Sequence, residues 1–197
     1  MRVAILGLGP SLKDYKESSN YDIVLGVNDI AKHHTIDYLL ILDPAKNFTE
    51  DRLQTIRNSK PKKGLITSIN LAADYKEFNP IIIKEPLRKM IGPTLQHERI
   101  DNAWIFPASR TSTFAGIIYA FRYLHATYIK VYGMDLTNHK HIKQKGASDE
   151  YKNAYTHELR AGQWLLNQFK RLKTNGVDIT FEWTEGSFFD RLKEGTT

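Results

Sequence analysis

The sequence predicts a single α/β domain, 1–197, in which a mostly parallel sheet is flanked by helices. Short β-branched and apolar runs alternate with segments of helical periodicity, and most of those runs stop on a glycine, asparagine or aspartate turn. A chain of 197 residues that is 41% hydrophobic and 11% aromatic suffices for one substantial core, and no linker or internal repeat divides it. In a parallel sheet the strand ends share one edge, where ligands of open α/β folds bind.

The first strand is Arg2-Val3-Ala4-Ile5-Leu6, and Gly7-Leu8-Gly9-Pro10-Ser11-Leu12 follows it. Glycine lets backbone N–H groups come close to a ligand, so this is a candidate phosphate-facing loop. An ordinary strand-to-helix turn has the same composition: the third small residue of a dinucleotide fingerprint is replaced by Leu12, and no Walker lysine is present. A short helix over 12–16 leads to a second strand, 22–27, ending on Asn28-Asp29, and a third, 36–42, ending on Asp43-Pro44. Thr49 is a candidate N-cap for a helix to Arg57, before strands at 64–68 and 81–83. Pro80, Pro86 and Pro93 make the surroundings irregular, and Trp104-Ile105-Phe106 resumes a strand pattern.

Thr111 or Ser112 can cap a helix whose apolar positions are Phe114, Ile117, Ile118, Phe121 and Leu124. Strand 128–132 stops at Gly133-Met134-Asp135-Leu136. The polar stretch from about 137 to 155 has the composition of a long surface loop, a candidate lid. A helix opening at Thr156-His157-Glu158 and closing at Asn175-Gly176, a last strand at 177–181 and a short helix over 187–192 complete the chain.

Composition narrows the function classes. Without cysteine there is no disulfide, no Cys-ligated zinc and no thiol nucleophile. No apolar run approaches a membrane span and no signal-peptide pattern opens the chain, so a soluble, cytoplasmic protein is expected. The net charge of +6 favours anionic or phosphorylated partners. Its lysines and arginines are scattered in small clusters that read as solvated surface and leave nucleic acid open. No Asp-x-Asp pair, nucleophile elbow or His-Glu-x-x-His occurs, and His33, His34, His139 and His141 read as loop histidines, so no metal site is expected. His157 opens the predicted helix beside the loop. There a helix N-terminus would favour the neutral imidazole a general base needs, while a packing or capping histidine fits the same position.

The order of Gly9-Pro10-Ser11-Leu12, Asn28, Asp43-Pro44, Thr111-Ser112, Gly133-Met134-Asp135-Leu136 and His157 resembles the bacterial lipooligosaccharide sialyltransferase family, and more broadly the Gly-Pro-Ser-Leu proteins of Rossmann-like fold. The resemblance spans nearly the whole chain. It implies a single Rossmann-like domain with a lid and a nucleotide-sugar glycosyltransferase needing no cofactor. It further implies that Gly7, Gly9, Pro10, Ser11, Asn28, Asp43, Ser112 and Asp135 line the donor nucleotide, with His157 as general base. Arg110, Lys143, Tyr151 and Tyr155 are candidates for stabilising the departing phosphate. Leu8 and Asp43 stand where that family has asparagine, which leaves room for a sugar other than sialic acid. The expected partners are a nucleotide sugar and an acceptor that is a glycan or, as for some phage enzymes, a modified base in DNA. The same fold also admits a pterin pyrophosphokinase-like phosphotransferase, with Mg²⁺ at Asp29, Asp43 or Asp135, and a non-catalytic nucleotide-binding module.

Overall fold

Seven parallel strands form one sheet in the order β5-β4-β3-β2-β1-β6-β7, in a computed structural model that describes residues 1–17, 19–83, 111–135 and 149–194. The strands are β1 (Arg2–Leu6), β2 (Ile23–Val27), β3 (Tyr38–Leu40), β4 (Gly64–Ser68), β5 (Ile81–Ile83), β6 (Tyr128–Tyr132) and β7 (Thr180–Trp183). The α-helices among the described residues are α1 (Glu50–Arg57), α2 (Ser112–Arg122), α3 (Asp149–Thr174) and α4 (Phe188–Glu194). This is a single-sheet, Rossmann-like α/β architecture. From β1 to β5 the chain steps in one direction, then returns to place β6 on the other side of β1. The strand order therefore reverses between β1 and β6, the switch point at which such sheets open a crevice.

Strand residues alternate between faces, and both faces are buried, which explains the unbroken apolar run of β1. Val3 and Ile5 pack with Leu25, Ile129 and the apolar sides of α2, α3 and α4. Ala4 and Leu6 face the other layer, with Ile30, Leu39, Leu53, Ile56, Leu65 and Tyr75. Helix α2 is buried from Ser112 to Ala120 because Gly116 lets it approach the sheet. A Cβ there would stand 3.1 Å from Leu25 and 3.2 Å from Ile5. On the second face the β6 end of the sheet carries hydroxyls and charges. Tyr128 donates to Glu182 at 2.6 Å beneath the Arg2 guanidinium, 4.0 Å from its ring, and the Tyr21 and Tyr132 hydroxyls meet at 2.6 Å. Burial, then the bond to Glu182, pushes the Tyr128 hydroxyl up to about 12, so it remains a donor at neutral pH.

Several boundaries differ from the sequence reading. β3 covers only Tyr38–Leu40. β7 starts at Thr180 rather than 177, because Gly176 (φ 82) and the Val177 N–H bond to the Leu172 carbonyl are used to close α3. Thr49 stands at the N-cap of α1, but its hydroxyl serves Asp51, whose carboxyl it lowers, rather than a backbone N–H. The strand pattern at 104–106 lies outside the described residues. Helix α3 begins at Asp149, so residues 149–155 of the expected lid are helical, and its remaining part, 137–148, also lies outside the described residues. Among the described residues no helix is long and apolar enough to cross a membrane.

Candidate functional site

The turn after β1 and the turn after β6 are clasped together at the switch point. Gly7 N–H donates to the Tyr132 carbonyl at 2.8 Å, and Gly9 N–H to the Gly133 carbonyl at 2.7 Å. Ser11 is bonded at both ends: its N–H donates to Asp135 Oδ2 at 2.8 Å, and its hydroxyl accepts from Gly133 N–H at 3.0 Å. The backbones come so close that a Cβ on Gly7 would lie 2.5 Å from the Gly133 carbonyl oxygen and 2.9 Å from Thr113 Oγ1. A Cβ on Gly9 would fall on the Asp135 carboxylate. Gly133 itself has φ 69, and its missing Cβ leaves room for the Gly7 carbonyl.

This geometry alters the meaning of the glycine loop. The N–H groups of Gly7, Gly9, Ser11 and Leu12 are all engaged within the protein, the last with the Gly9 carbonyl at 3.0 Å. Pro10 has no N–H to offer and opens a 3-10 helix, Pro10–Asp14. These four amides hold the loop against the β6 turn and on itself, so the loop forms a wall at the switch point. The glycines serve close backbone approach, and Asp135, 5% exposed, serves as the clamp that holds Ser11.

Around that wall the other candidates gather by topology. Thr111, and not Ser112, caps α2, accepting from Phe114 N–H at 3.3 Å, and leaves Ser112 as the first helical residue. The start of this helix lies against the β1 turn, with the Thr113 hydroxyl 2.9 Å from where a Gly7 Cβ would stand. Asn28 follows β2 directly, in the left-handed region with φ 54, and its Oδ1 is buried without a hydrogen-bond partner. A strained backbone carrying an unmet buried acceptor is the kind of feature that accumulates at binding sites. The next residue, Asp29, receives Arg52 of α1 at 2.5 and 3.0 Å, an ion pair that anchors the turn holding Asn28. Asp43 follows β3 one strand further out, its backbone carbonyl accepting the Tyr75 hydroxyl at 2.7 Å.

Helix α3 returns the chain from β6 to the parallel β7, so it runs against the strands and its N-terminal part lies at the carboxyl edge. Its Gly162 is packed on α4, where a Cβ would meet Leu192 and Phe188 at 2.6 and 2.7 Å. His157 precedes that contact by a little over one turn, toward the edge, and Tyr151 and Tyr155 lie further along the same helix. With the helix beginning at Asp149, His157 is about two turns inside it, beyond the reach of the N-terminal dipole expected to act on it. Arg110 and Lys143 lie outside the described residues. Gly133, Thr113 and Arg52 complete the neighbourhood without having been candidates, because each acts through a partner distant in sequence. Among the described residues no three histidine or carboxylate side chains group as a metal site.

No family model matches the chain, and no curated protein or solved structure matches it either.

Proposed function

We propose that the protein is a glycosyltransferase that moves a sugar from a nucleotide-sugar donor to an acceptor hydroxyl without a metal ion. The observation that carries this reading is the left-handed Asn28, with its unmet Oδ1, standing beside a clasped glycine wall at the switch point. The donor nucleotide lies along the wall made by Gly7, Gly9, Pro10 and Ser11. Asn28, Asp43 and Ser112 contact it, and Asp135 holds the wall in shape. The motif order shared with the sialyltransferase-like proteins supports the same assignment.

In the reaction the acceptor oxygen bonds to the anomeric carbon as the bond from that carbon to the phosphate oxygen breaks. His157 takes the acceptor proton, and the nucleotide leaves with the bonding pair. Arg110, Lys143, Tyr151 and Tyr155 are the groups available to stabilise the leaving phosphate, a role in which a positioned donor is worth about 3–4 kcal/mol. The phosphotransferase reading is weaker, because the Arg52 ion pair occupies one of its three carboxylates, Asp29.

Turnover of CMP-, UDP- and GDP-sugars, and of ATP, measured with and without EDTA, tests the proposal. Sugar release or transfer that persists in EDTA is expected. Strict Mg²⁺ dependence with ATP supports the phosphotransferase, and nucleotide binding without turnover supports a binding module. The basic charge suits phosphorylated glycans and DNA alike. A DNA acceptor makes acceptor binding fall steeply as salt rises, and a flat response assigns the acceptor to the glycans.

A further inference from the structure

Three buried side-chain polar atoms among the described residues lack a hydrogen-bond partner: Asn28 Oδ1, Thr184 Oγ1 and Ser187 Oγ. All three lie at the carboxyl edge of the sheet. Asn28 follows β2 and faces the nucleotide in the function proposed above. Thr184 and Ser187 belong to the turn after β7, on the other side of the switch point, and no role in the fold accounts for their hydroxyls.

That turn is built to hold still. Asp190 accepts the Trp183 indole N–H at 2.7 Å and the Gly186 N–H at 2.6 Å. Thr184 N–H donates to the Val131 carbonyl at 3.2 Å, and Phe188 N–H to the Met134 carbonyl at 2.8 Å, which fastens the turn alongside Gly133–Asp135. Thr184 is 5% exposed and Ser187 1%. Ser187 precedes α4, where a serine ordinarily caps with its hydroxyl, yet the Asp190 N–H bonds its carbonyl at 3.2 Å and leaves Oγ unused. An unmet buried hydroxyl carries its full desolvation cost, so two of them on one clamped turn at the ligand edge mark groups kept for a partner.

We infer that Thr184 and Ser187 form the subsite for the sugar of the nucleotide-sugar donor, an assignment that rests on the glycosyltransferase reading. Hydroxyls donate and accept and carry no charge, which matches a polyhydroxyl ring. The carboxylates on this side, Asp135 and Glu185, disfavour a phosphate there. A nucleotide on the β1–β2–β3 side sends its sugar across β1 toward β6 and β7, where α3 brings His157. Neither oxygen is open to solvent, so the sugar reaches them by displacing what packs over them, and their unmet bonds favour that exchange.

The test is calorimetric titration of wild type, Thr184→Val, Ser187→Ala and the double variant with UDP, GDP and CMP. The same proteins are titrated with UDP-glucose, UDP-N-acetylglucosamine, GDP-mannose and CMP-N-acetylneuraminate, and thermal unfolding is followed in parallel. Removing an unsatisfied hydroxyl leaves the unfolding midpoint unchanged or raised. Affinity for the free nucleotide stays within about twofold, whereas affinity for the matching nucleotide sugar falls about five- to fiftyfold in the double variant. Thr184→Ser, which keeps a hydroxyl, retains the sugar affinity. Variants that bind both ligand types as wild type does, or that lose both equally, overturn the subsite and leave the nucleotide-sugar reading standing. A wild-type protein that binds none of these ligands overturns that reading and the subsite with it.

Discussion

Replacement of His157 by alanine lowers glycosyl transfer about 10²- to 10⁴-fold, the usual worth of a general base, while nucleotide affinity stays within about threefold. The expectation rests on placement. α3 runs against the strands, and the packing of Gly162 on Phe188 fixes its height relative to the β7 turn, so His157 comes at the carboxyl edge without being part of the nucleotide wall. Single-turnover rates at saturating donor, compared with calorimetric nucleotide affinities, separate the two effects. Equal transfer rates in variant and wild type would assign proton abstraction elsewhere.

Gly133→Ala costs about 2–4 kcal/mol of folding stability and lowers the unfolding midpoint by about 5–15 °C. Two penalties combine at this position. The backbone is left-handed at φ 69, and the new methyl meets the Gly7 carbonyl oxygen, with the Gly7 carbonyl carbon at 2.7 Å and Gly9 N at 3.2 Å. All of these are backbone atoms that no side-chain rotation can clear, and opening them strains the bonds of Gly9 and Ser11 to the β6 turn. Gly176→Ala separates the penalties, because Gly176 has φ 82 but nothing within 4 Å of a Cβ, leaving the conformational cost alone, about 1–2 kcal/mol. Urea unfolding of both variants decides the point. If Gly133→Ala is no worse than Gly176→Ala, the close approach does not limit stability.

Much of the sheet was legible because both of its faces are covered. Buried strands read as unbroken apolar runs, which located β1, β2, β4, β5 and β6 within a residue or so. The misplaced start of α3 has a local cause. Residues 149–155 are too polar to show an apolar stripe and so read as loop, although Asp149 and Glu150 carry the acidic first-turn signature of a helix start. The candidate site was legible as a list of strand-end residues, since in a parallel sheet those ends share an edge. Its internal geometry was not. Ser11 and Asp135 are separated by 124 positions, and the Gly7–Gly133 contact is equally remote, so the use of the loop's amides could not be read from the loop. The idle hydroxyls of Thr184 and Ser187 leave no pattern in sequence either, because an unmet hydrogen bond is a property of the packed neighbourhood.

A crystal structure of the protein grown with the nucleotide sugar that binds it in the titrations, or with the corresponding nucleotide, tests the proposed glycosyltransferase site directly. Density is expected at the carboxyl edge, with the nucleotide against the Gly7–Ser11 wall, a donor group within hydrogen-bond distance of Asn28 Oδ1, and the sugar directed toward α3. A nucleotide bound away from the switch point, or one at that edge leaving Asn28 Oδ1 without a partner, would contradict the proposal.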